Sequence, residues 1–248
     1  MRPSRLRTPH ELARELMELP RMHRLLAAGS HRRYRNPALV EHLVRRCFEH
    51  RYGNPDRMLD YAEAAVAVAR RLPPAASASD SLCRAYLHLS NAHRRRGEFD
   101  AASSAMEQAK AAWASGSQEL ALRAETLWIE GGLLHDLRRI EEAATCFRSA
   151  AEHYRSLDEV ENCASALISE GMALVESGDP QQGLVAFFRA LTAIDDRADD
   201  RLRISALQCF CWGLCEAGQY EQAHLLSRQC SRLFFSSREP ASLFGSIF

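Results

Sequence analysis

The feature of this sequence that most constrains its fold is a helix, short turn, helix pattern that returns about every 40 residues. The repeating units begin near Leu39, Cys83, Ala124, Ala164 and Ile204, at spacings of 44, 41, 40 and 40 residues. One such unit cannot bury its apolar face alone, so a fixed period in this range predicts hairpins that stack into a solenoid or an array. Apolar and polar residues do not alternate over any run, and we therefore predict an all-α chain without strands.

The third unit shows how each hairpin is built. Its first helix carries a pair of glycines, Gly131 and Gly132, at its middle. Glycine costs about 1 kcal/mol of helix propensity relative to alanine, so we interpret the pair as a point of close approach between two helices. Its second helix carries an apolar stripe of Ala143, Ala144, Phe147, Ala150 and Tyr154. The small alanines let the helices come near, and Phe147 fills the gap between them.

The fourth unit repeats this design, with Gly171 in its first helix and Phe187 in its second. Between them, Asp179 can cap the second helix and Pro180 suits its first turn, where a backbone N–H is not needed. The first unit is the weakest, and its register depends on the match between the tripeptide 53–55 (Gly-Asn-Pro) and the tripeptide 178–180 (Gly-Asp-Pro).

These units resemble the tetratricopeptide repeat (TPR) family over residues 39–235. The match is carried by the small residues Ser90, Gly131, Gly171 and Cys211 and by Phe147, Phe187, Ala150 and Ala190. The resemblance implies a right-handed α-solenoid of about five TPR-like helical hairpins with a short helical N-terminal cap, and a role in binding another macromolecule. Two features depart from the family: the period exceeds 34 residues, and glutamates stand where leucine is usual. We interpret these residues, Glu130 and Glu170, as partners in buried ion pairs with an arginine such as Arg123 or Arg148.

We predict three segments. Residues 1–35 form a basic helical N-terminal segment, whose first helix opens with a capping box at Thr8 and Glu11 and whose second runs from Arg21 to Ala28. Residues 36–235 form the repeat array, with units near 39–75, 78–116, 119–157, 160–197 and 200–235. Residues 236–248 form an apolar tail that folds back as a cap, docks on another chain through self-association, or leads into further sequence.

Charge is unevenly distributed, although the formal net charge is zero. Residues 1–53 hold 12 Arg and 5 Glu, a balance of +7. The cluster 31–35 (His-Arg-Arg-Tyr-Arg), with Arg45, Arg46 and Arg51, could attract phosphates, so a nucleic-acid contact stays open as an alternative. Arginine abundance alone is discounted, because 31 arginines against a single lysine, Lys110, indicate a bias across the whole chain.

The family resemblance also implies a concave groove lined by the first helices of successive hairpins. The residues facing it would be Arg84, Leu87, Asn91, Arg94, Arg95, Trp128, His135, Asp136, Ile168, Met172, Glu176, Gln208, Trp212 and Glu216. This groove would be basic at one end and aromatic to acidic at the other. Trp and Arg most often dominate binding energy, so Trp128, Trp212, Arg94 and Arg95 are the expected anchors. Leu87 replaces the basic residue of the family's carboxylate clamp, which argues against capture of a peptide C-terminus.

Other kinds of site find little support. The eight cysteines contain no CxxC pair, and among Cys209, Cys211 and Cys215 only the last two share a helical face, so we predict buried thiols rather than a zinc site. No nucleophile and base constellation, phosphate loop or HExxH motif is present, and we predict neither catalysis nor a cofactor. No apolar run could span a bilayer, and we expect a cytoplasmic, bacterial-type protein.

The sequence therefore predicts an interaction scaffold or adaptor that binds a peptide or helix of another protein in its groove. The alternative is a regulatory or sensor module whose basic head, or a missing effector domain, contacts nucleic acid.

Overall fold

The computed structural model describes residues 7–51, 53–194 and 200–236, and its contacts divide the chain into two compact units, residues 1–122 and 123–248. Every regular element in the described residues is helical, as the absence of alternating patterns predicted. The boundary lies inside the first helix of the third hairpin. The predicted apolar tail, residues 236–248, lies outside the described residues apart from Ser236.

The first unit begins with the basic segment. Helices α1 (Pro9–Met17) and α2 (Arg21–Ser30) are followed by a short 3-10 turn (Arg32–Tyr34). The expected capping box is present, since Glu11 N–H donates to the Thr8 hydroxyl and the Glu11 carboxylate accepts from Thr8 N–H. Helix α2 runs two residues further than the sequence predicted. Helix α1 packs on the first helix of the first hairpin and α2 on the second, so the segment covers that hairpin.

Two hairpins complete the first unit. They are α3 (Pro37–Glu49) with α4 (Pro55–Ala69), and α5 (Ala76–Arg95) with α6 (Phe99–Ala114). Helices α3 and α5 contact each other, and α4 contacts α5, so the hairpins are stacked. Their shared core contains the buried residues Cys47, Met58, Leu59, Ala62 and Ala92.

The second unit contains three hairpins. They are α7 (Leu120–Asp136) with α8 (Ile140–Ser156), α9 (Val160–Glu176) with α10 (Pro180–Ala193), and α11 (Asp200–Glu216) with α12 (Tyr220–Ser236). Helix α7 starts in the last three residues of the first unit. The apolar core of the second unit contains residues of all three hairpins, among them Leu127, Leu167, Phe187 and Ala206.

The glycines in the first helices mark close helix approach, as the sequence predicted. A Cβ atom built on Gly131 would lie 2.7 Å from Phe147, and one on Gly171 would lie 2.5 Å from Phe187. Both distances are shorter than a contact between non-bonded carbon atoms, so each phenyl ring occupies the space that a side chain at the glycine position would need. The glycines are therefore required by the packing of the second helix against the first.

The same slot holds a hydrogen-bonding side chain in two other hairpins. The Ser90 hydroxyl donates to the Ala102 carbonyl at 2.8 Å, and the Cys211 thiol donates to the Ala223 carbonyl at 3.3 Å. Each acceptor lies 12 residues after its donor. The repeat thus fixes the register of the hairpin with a small residue that faces the partner backbone.

The turn inside each of the last four hairpins ends its first helix with one left-handed residue. These residues are Gly97, Gly178 and Gly218, with φ of 74, 93 and 74°, and Arg138, with φ of 61°. The next N–H bonds back to a carbonyl of the last helical turn, as Asp179 does to Leu174 at 2.9 Å. Arg138 adopts the same conformation although it has a β-carbon, so it bears a steric cost that the glycines do not.

The caps of the second helices confirm the register of the first hairpin. Asn54 accepts from Arg57 N–H at 2.9 Å and Asp179 accepts from Gln182 N–H at 3.0 Å, and each precedes a proline at the first helical position. The Gly-Asn-Pro and Gly-Asp-Pro tripeptides are therefore equivalent in structure.

We expect Asp179→Ala to lower the free energy of unfolding by about 1 kcal/mol, because the Gln182 N–H loses its acceptor. Urea denaturation followed by circular dichroism measures this loss. Gln181→Ala is the matched control, since Gln181 is exposed in the same turn. A loss of the same size in both variants would contradict a capping role for Asp179.

Candidate functional site

The candidate binding surface of the second unit lies on its first helices, α7, α9 and α11. Each contributes one large side chain, respectively Trp128, Met172 and Trp212. All three are half-buried and pack against the same apolar core. Each side chain thus packs on the core with one side and leaves its other side accessible to solvent. We call these three residues the aromatic row.

A polar cluster lies at the C-terminal ends of α7 and α9. His135 Nε2 is 3.0 Å from Glu176 Oε1, and Arg138 donates to Glu176 Oε2 at 3.1 Å. The Asp136 carboxylate lies 3.7 Å from the other imidazole nitrogen. His135 and Glu176 were both predicted site residues, and the structure brings them into direct contact.

Arg138 was not predicted as a member of this cluster, because it lies in the turn between α7 and α8. The sequence signal that could have identified Arg138 is its position in the turn, which glycine occupies in the second, fourth and fifth hairpins. In this left-handed conformation, which carries a small conformational cost, Arg138 forms its ion pair with Glu176.

The end of α11 supplies the remaining predicted residues of the second unit. Trp212 Nε1 donates to Glu216 Oε1 at 3.1 Å, which orients the indole along its helix. Gln208 is half-buried one turn earlier. One turn after Met172 and Trp212 lie the carboxylates of Glu176, which is paired with His135 and Arg138, and of Glu216. A partner segment with apolar groups and a basic group near Glu216 would suit this arrangement.

The cluster sets the protonation of His135. The neighbouring Asp136 carboxylate raises the pKa of His135, burial opposes that rise, and the charge and hydrogen bond of Glu176 add to it. Because the pKa of His135 is raised in the folded state, protonated His135 stabilises the fold. This stabilisation is fully present below the unfolded-state pKa near 6.5 and is lost as pH rises through the folded-state pKa.

We expect an NMR titration of the His135 C2 proton to give a pKa above that of an unfolded histidine. Glu176→Gln should lower it, because the variant removes a negative charge while keeping an acceptor oxygen. Glu152→Gln, an exposed change on α8, is the control. A His135 titration that ignores Glu176→Gln would show that the contact does not exist in solution.

The predicted site residues of the first unit lie on α5. Arg94 is half-buried and donates from Nε and a terminal nitrogen to Asn91 Oδ1 at 3.0 and 2.9 Å. Asn91 is itself 9% exposed, so its amide serves mainly to orient Arg94. Arg84 is half-buried and Arg95 is exposed. The predicted basic residues of the first unit are thus three arginines on α5, and Asn91 orients Arg94.

Two residues expected to face the groove do not. Leu87 is 0% exposed and Ile168 is 6% exposed. In a stacked array, a first helix contacts its own partner and the neighbouring hairpins, so more of its circumference is buried than in a helix that packs on one side only. The assignment of Leu87 and Ile168 to a binding surface was wrong.

Solved structures give the relatives of this fold. BtubC (BKLC) from P. vanneervenii matches with a TM-score of 0.69 and 20% identity, over 90% of this chain and 88% of its own. A putative kinesin light chain of Podosopora anserina with nearly identical TPR-like repeats matches with a TM-score of 0.62 and 13% identity, over 80% of this chain and 96% of its own. A Rap protein complexed with Competence and Sporulation Factor matches with a TM-score of 0.66 and 17% identity, over 91% of this chain and 57% of its own. The chain has the fold of TPR-like repeat proteins. No protein-family model and no curated protein matches its sequence.

These matches establish the fold class of the TPR-like protein as an α-solenoid of helical hairpins. They agree with the resemblance drawn from its small residues and phenylalanines. At identities of 20% and below, they carry no information about individual site residues.

Cys209 and Cys211 are half-buried, whereas Cys215 is exposed, so the prediction of a buried thiol was wrong for Cys215. The Cys211 thiol donates its hydrogen bond to the Ala223 carbonyl, and burial raises the pKa of Cys209 to about 11. A thiol with so high a pKa is protonated at neutral pH and is a poor metal ligand. Within residues 7–51, 53–194 and 200–236, no three His, Cys, Asp or Glu side chains are placed to hold a metal ion. In the same ranges, no helix is long and apolar enough to cross a membrane.

Proposed function

We propose that this TPR-like protein is an interaction scaffold or adaptor that binds a peptide or helix of another protein. The observation that carries the proposal is the aromatic row, in which three successive first helices each present a half-buried large side chain on one shared core. Such supported side chains lose little conformational freedom on binding, which is typical of residues that dominate interface energies.

The predicted polar residues have complementary roles in this proposal. Gln208 and the carboxylate of Glu216 lie beside the aromatic row and would bind amide or basic groups of the partner, and the paired His135 and Glu176 would form a polar edge next to it. In the first unit, Arg84, Arg94 and Arg95, with Asn91 orienting Arg94, would bind acidic groups.

One similar structure supports this kind of role. The Rap protein of the same fold class was solved in complex with Competence and Sporulation Factor, so a solenoid of this kind can hold a second molecule. The comparison supplies a precedent for binding and leaves the partner of this chain to experiment.

Capture of partners from a lysate of the source organism on immobilised protein tests the proposal. We expect wild type to retain a defined protein that Trp128→Ala/Trp212→Ala loses, with nuclease making no difference. Phe188→Ala/Leu225→Ala is the matched control, because these exposed apolar side chains lie on second helices and should not matter.

Trp128 and Trp212 also support the core, so the double variant could lose binding by unfolding. Glu216→Arg avoids this problem, since it reverses an exposed charge beside Trp212. We expect it to weaken retention while circular dichroism stays unchanged. Retention that resists all these changes would refute the assigned surface, and retention lost on nuclease treatment would favour a nucleic-acid contact instead.

A further inference from the structure

A second concave surface lies in the first unit, between α1, α3 and α4. This cleft has a volume of about 620 Å³, in the range of small-molecule sites. It is lined by His10, Ala13, Arg14, Met17, Glu18, His42, Arg45, Arg46, Glu49, Arg57 and Tyr61. We call it the arginine cleft, because four of its charged residues are arginines. It shares no residue with the surface proposed above.

The cations of the arginine cleft outnumber its anions. Arg46 is paired with Glu49, which leaves Glu18 as the one other acid in the lining. Among the residues that the structure describes, Arg14, Arg45 and Arg57 take part in no ion pair with an acid. Guanidinium groups that line one cleft without carboxylate partners repel one another, and an anion in the cleft relieves that repulsion.

The cleft contains two imidazoles, and the surroundings of His42 disfavour its cationic form. His42 accepts a hydrogen bond from Arg45 at 2.8 Å between Arg45 Nη2 and His42 Nδ1, which requires an unprotonated Nδ1. The His10 and His42 rings meet edge to face at 5.5 Å. Burial lowers the pKa of His42, and the charges of Arg45, His10 and Arg46 lower it further, while Glu49 opposes them. A cation at His42 is thus disfavoured by its surroundings, as expected of a site built for an anion.

The chemistry of the lining selects the anion. Arginine offers a planar fork of donors that matches phosphate oxygens, and two imidazoles add further donors. The aromatic ring of the cleft is already used, because His50 stacks on Tyr61 at 5.5 Å and the Arg46 guanidinium lies over the same ring. Charge and donor groups therefore dominate, rather than a surface for stacking nucleotide bases.

We propose that the arginine cleft binds the phosphate group of a phosphate monoester, carried by a small molecule or by a phosphorylated side chain. Arg45 and Arg57 hold the phosphate oxygens, with Arg14 adding charge and His42 lying at the wall. A compact cleft with converging arginines fits one phosphate group better than the repeated phosphates of a polynucleotide, which need an extended basic track.

Inorganic phosphate is the first probe, at constant ionic strength with chloride as the balance. We expect saturable binding that moves the His42 C2 proton resonance, assigned by its loss in His42→Gln, and raises the pKa of His42. Arg45→Gln/Arg57→Gln should weaken binding about tenfold or more, because two charge-assisted contacts are lost. Arg32→Gln/Arg71→Gln is the matched control, since it removes two exposed arginines of the same unit outside the cleft.

The source of the phosphate is distinguished by comparing glycerol phosphate with a phosphoserine peptide and its unphosphorylated form. Tighter binding of either phosphorylated probe than of inorganic phosphate, lost in Arg45→Gln/Arg57→Gln, supports the proposal and identifies the source. Three results overturn it: no saturable binding, equal weakening in both double variants, or binding of a single-stranded oligonucleotide that depends on Arg32 and Arg71 and outcompetes every monoester.

Discussion

Phe187→Ala is expected to lower the free energy of unfolding by about 3 to 5 kcal/mol. The Phe187 ring is 0% exposed and fills the space above Gly171, so its removal leaves a cavity that rigid helix backbones cannot close. Chemical denaturation followed by circular dichroism measures the change. The neighbouring residue supplies the control: Phe188 is 58% exposed, and Phe188→Ala should change stability by no more than about 0.5 kcal/mol.

A double-mutant cycle with Gly171→Ala tests the contact itself. In the wild-type background, Gly171→Ala should cost about 1 to 3 kcal/mol, because the new methyl group meets the Phe187 ring. In the Phe187→Ala background the same substitution should cost nothing or stabilise, since the space is free and alanine favours the helix. Additive effects would mean that the two residues do not share this space, and would contradict the hairpin register.

Arg148→Ala is expected to lower the free energy of unfolding by about 3 kcal/mol at neutral pH. Arg148 Nε donates to Glu170 Oε1 at 2.7 Å, and the Glu170 side chain is only 3% exposed. Within the described part of the chain, Glu170 Oε2 has no hydrogen-bond partner. Removing the guanidinium leaves a buried carboxylate without compensation. The loss lies at the low end of the range for broken buried pairs, because half of the Arg148 side chain is exposed.

The pH dependence of this loss identifies its cause. In Arg148→Ala, the buried Glu170 carboxylate has lost its cation, so its negative charge is disfavoured in the folded state. The deficit is therefore small below about pH 4, where carboxyl groups are protonated in both states, and grows at higher pH, because only the unfolded state then carries the charge without cost. Arg148→Ala/Glu170→Leu, which introduces the residue usual in the TPR family, should recover wild-type stability or exceed it. A deficit that is independent of pH and persists in the double variant would refute the ion-pair account.

The sequence was informative wherever local chemistry decides the structure. Gly131 and Gly171 could be recognised as contact points because glycine is costly inside a helix and needs a reason to be there. The caps at Thr8 and Asp179 follow from side-chain groups that satisfy nearby backbone N–H groups. The pairing of Glu170 with Arg148 followed from the cost of burying a lone carboxylate.

The sequence was less informative where the answer depends on neighbouring hairpins. Leu87 and Ile168 lie at the helical spacing of the residues expected to be exposed, but packing against neighbouring helices buries them. The ion pair of Arg138 with Glu176 joins residues 38 positions apart, beyond the reach of a local pattern. The division at residue 122 falls within one helix, where composition does not change. For the same reason the proposed binding residues remain a prediction, since the repeat pattern predicts a surface but not its partner.

Site-specific photocrosslinking tests the central claim that the first helices of the second unit bind a partner protein. A photoreactive p-benzoylphenylalanine replaces Trp212 in one variant and Phe188, an exposed aromatic residue on a second helix, in the other. Both variants are irradiated in a lysate of the source organism, and covalent adducts are identified by mass spectrometry. The account predicts one defined protein adduct from position 212 that position 188 does not form. An adduct from position 188 alone, or none from position 212 under conditions where the partner is retained, would contradict it.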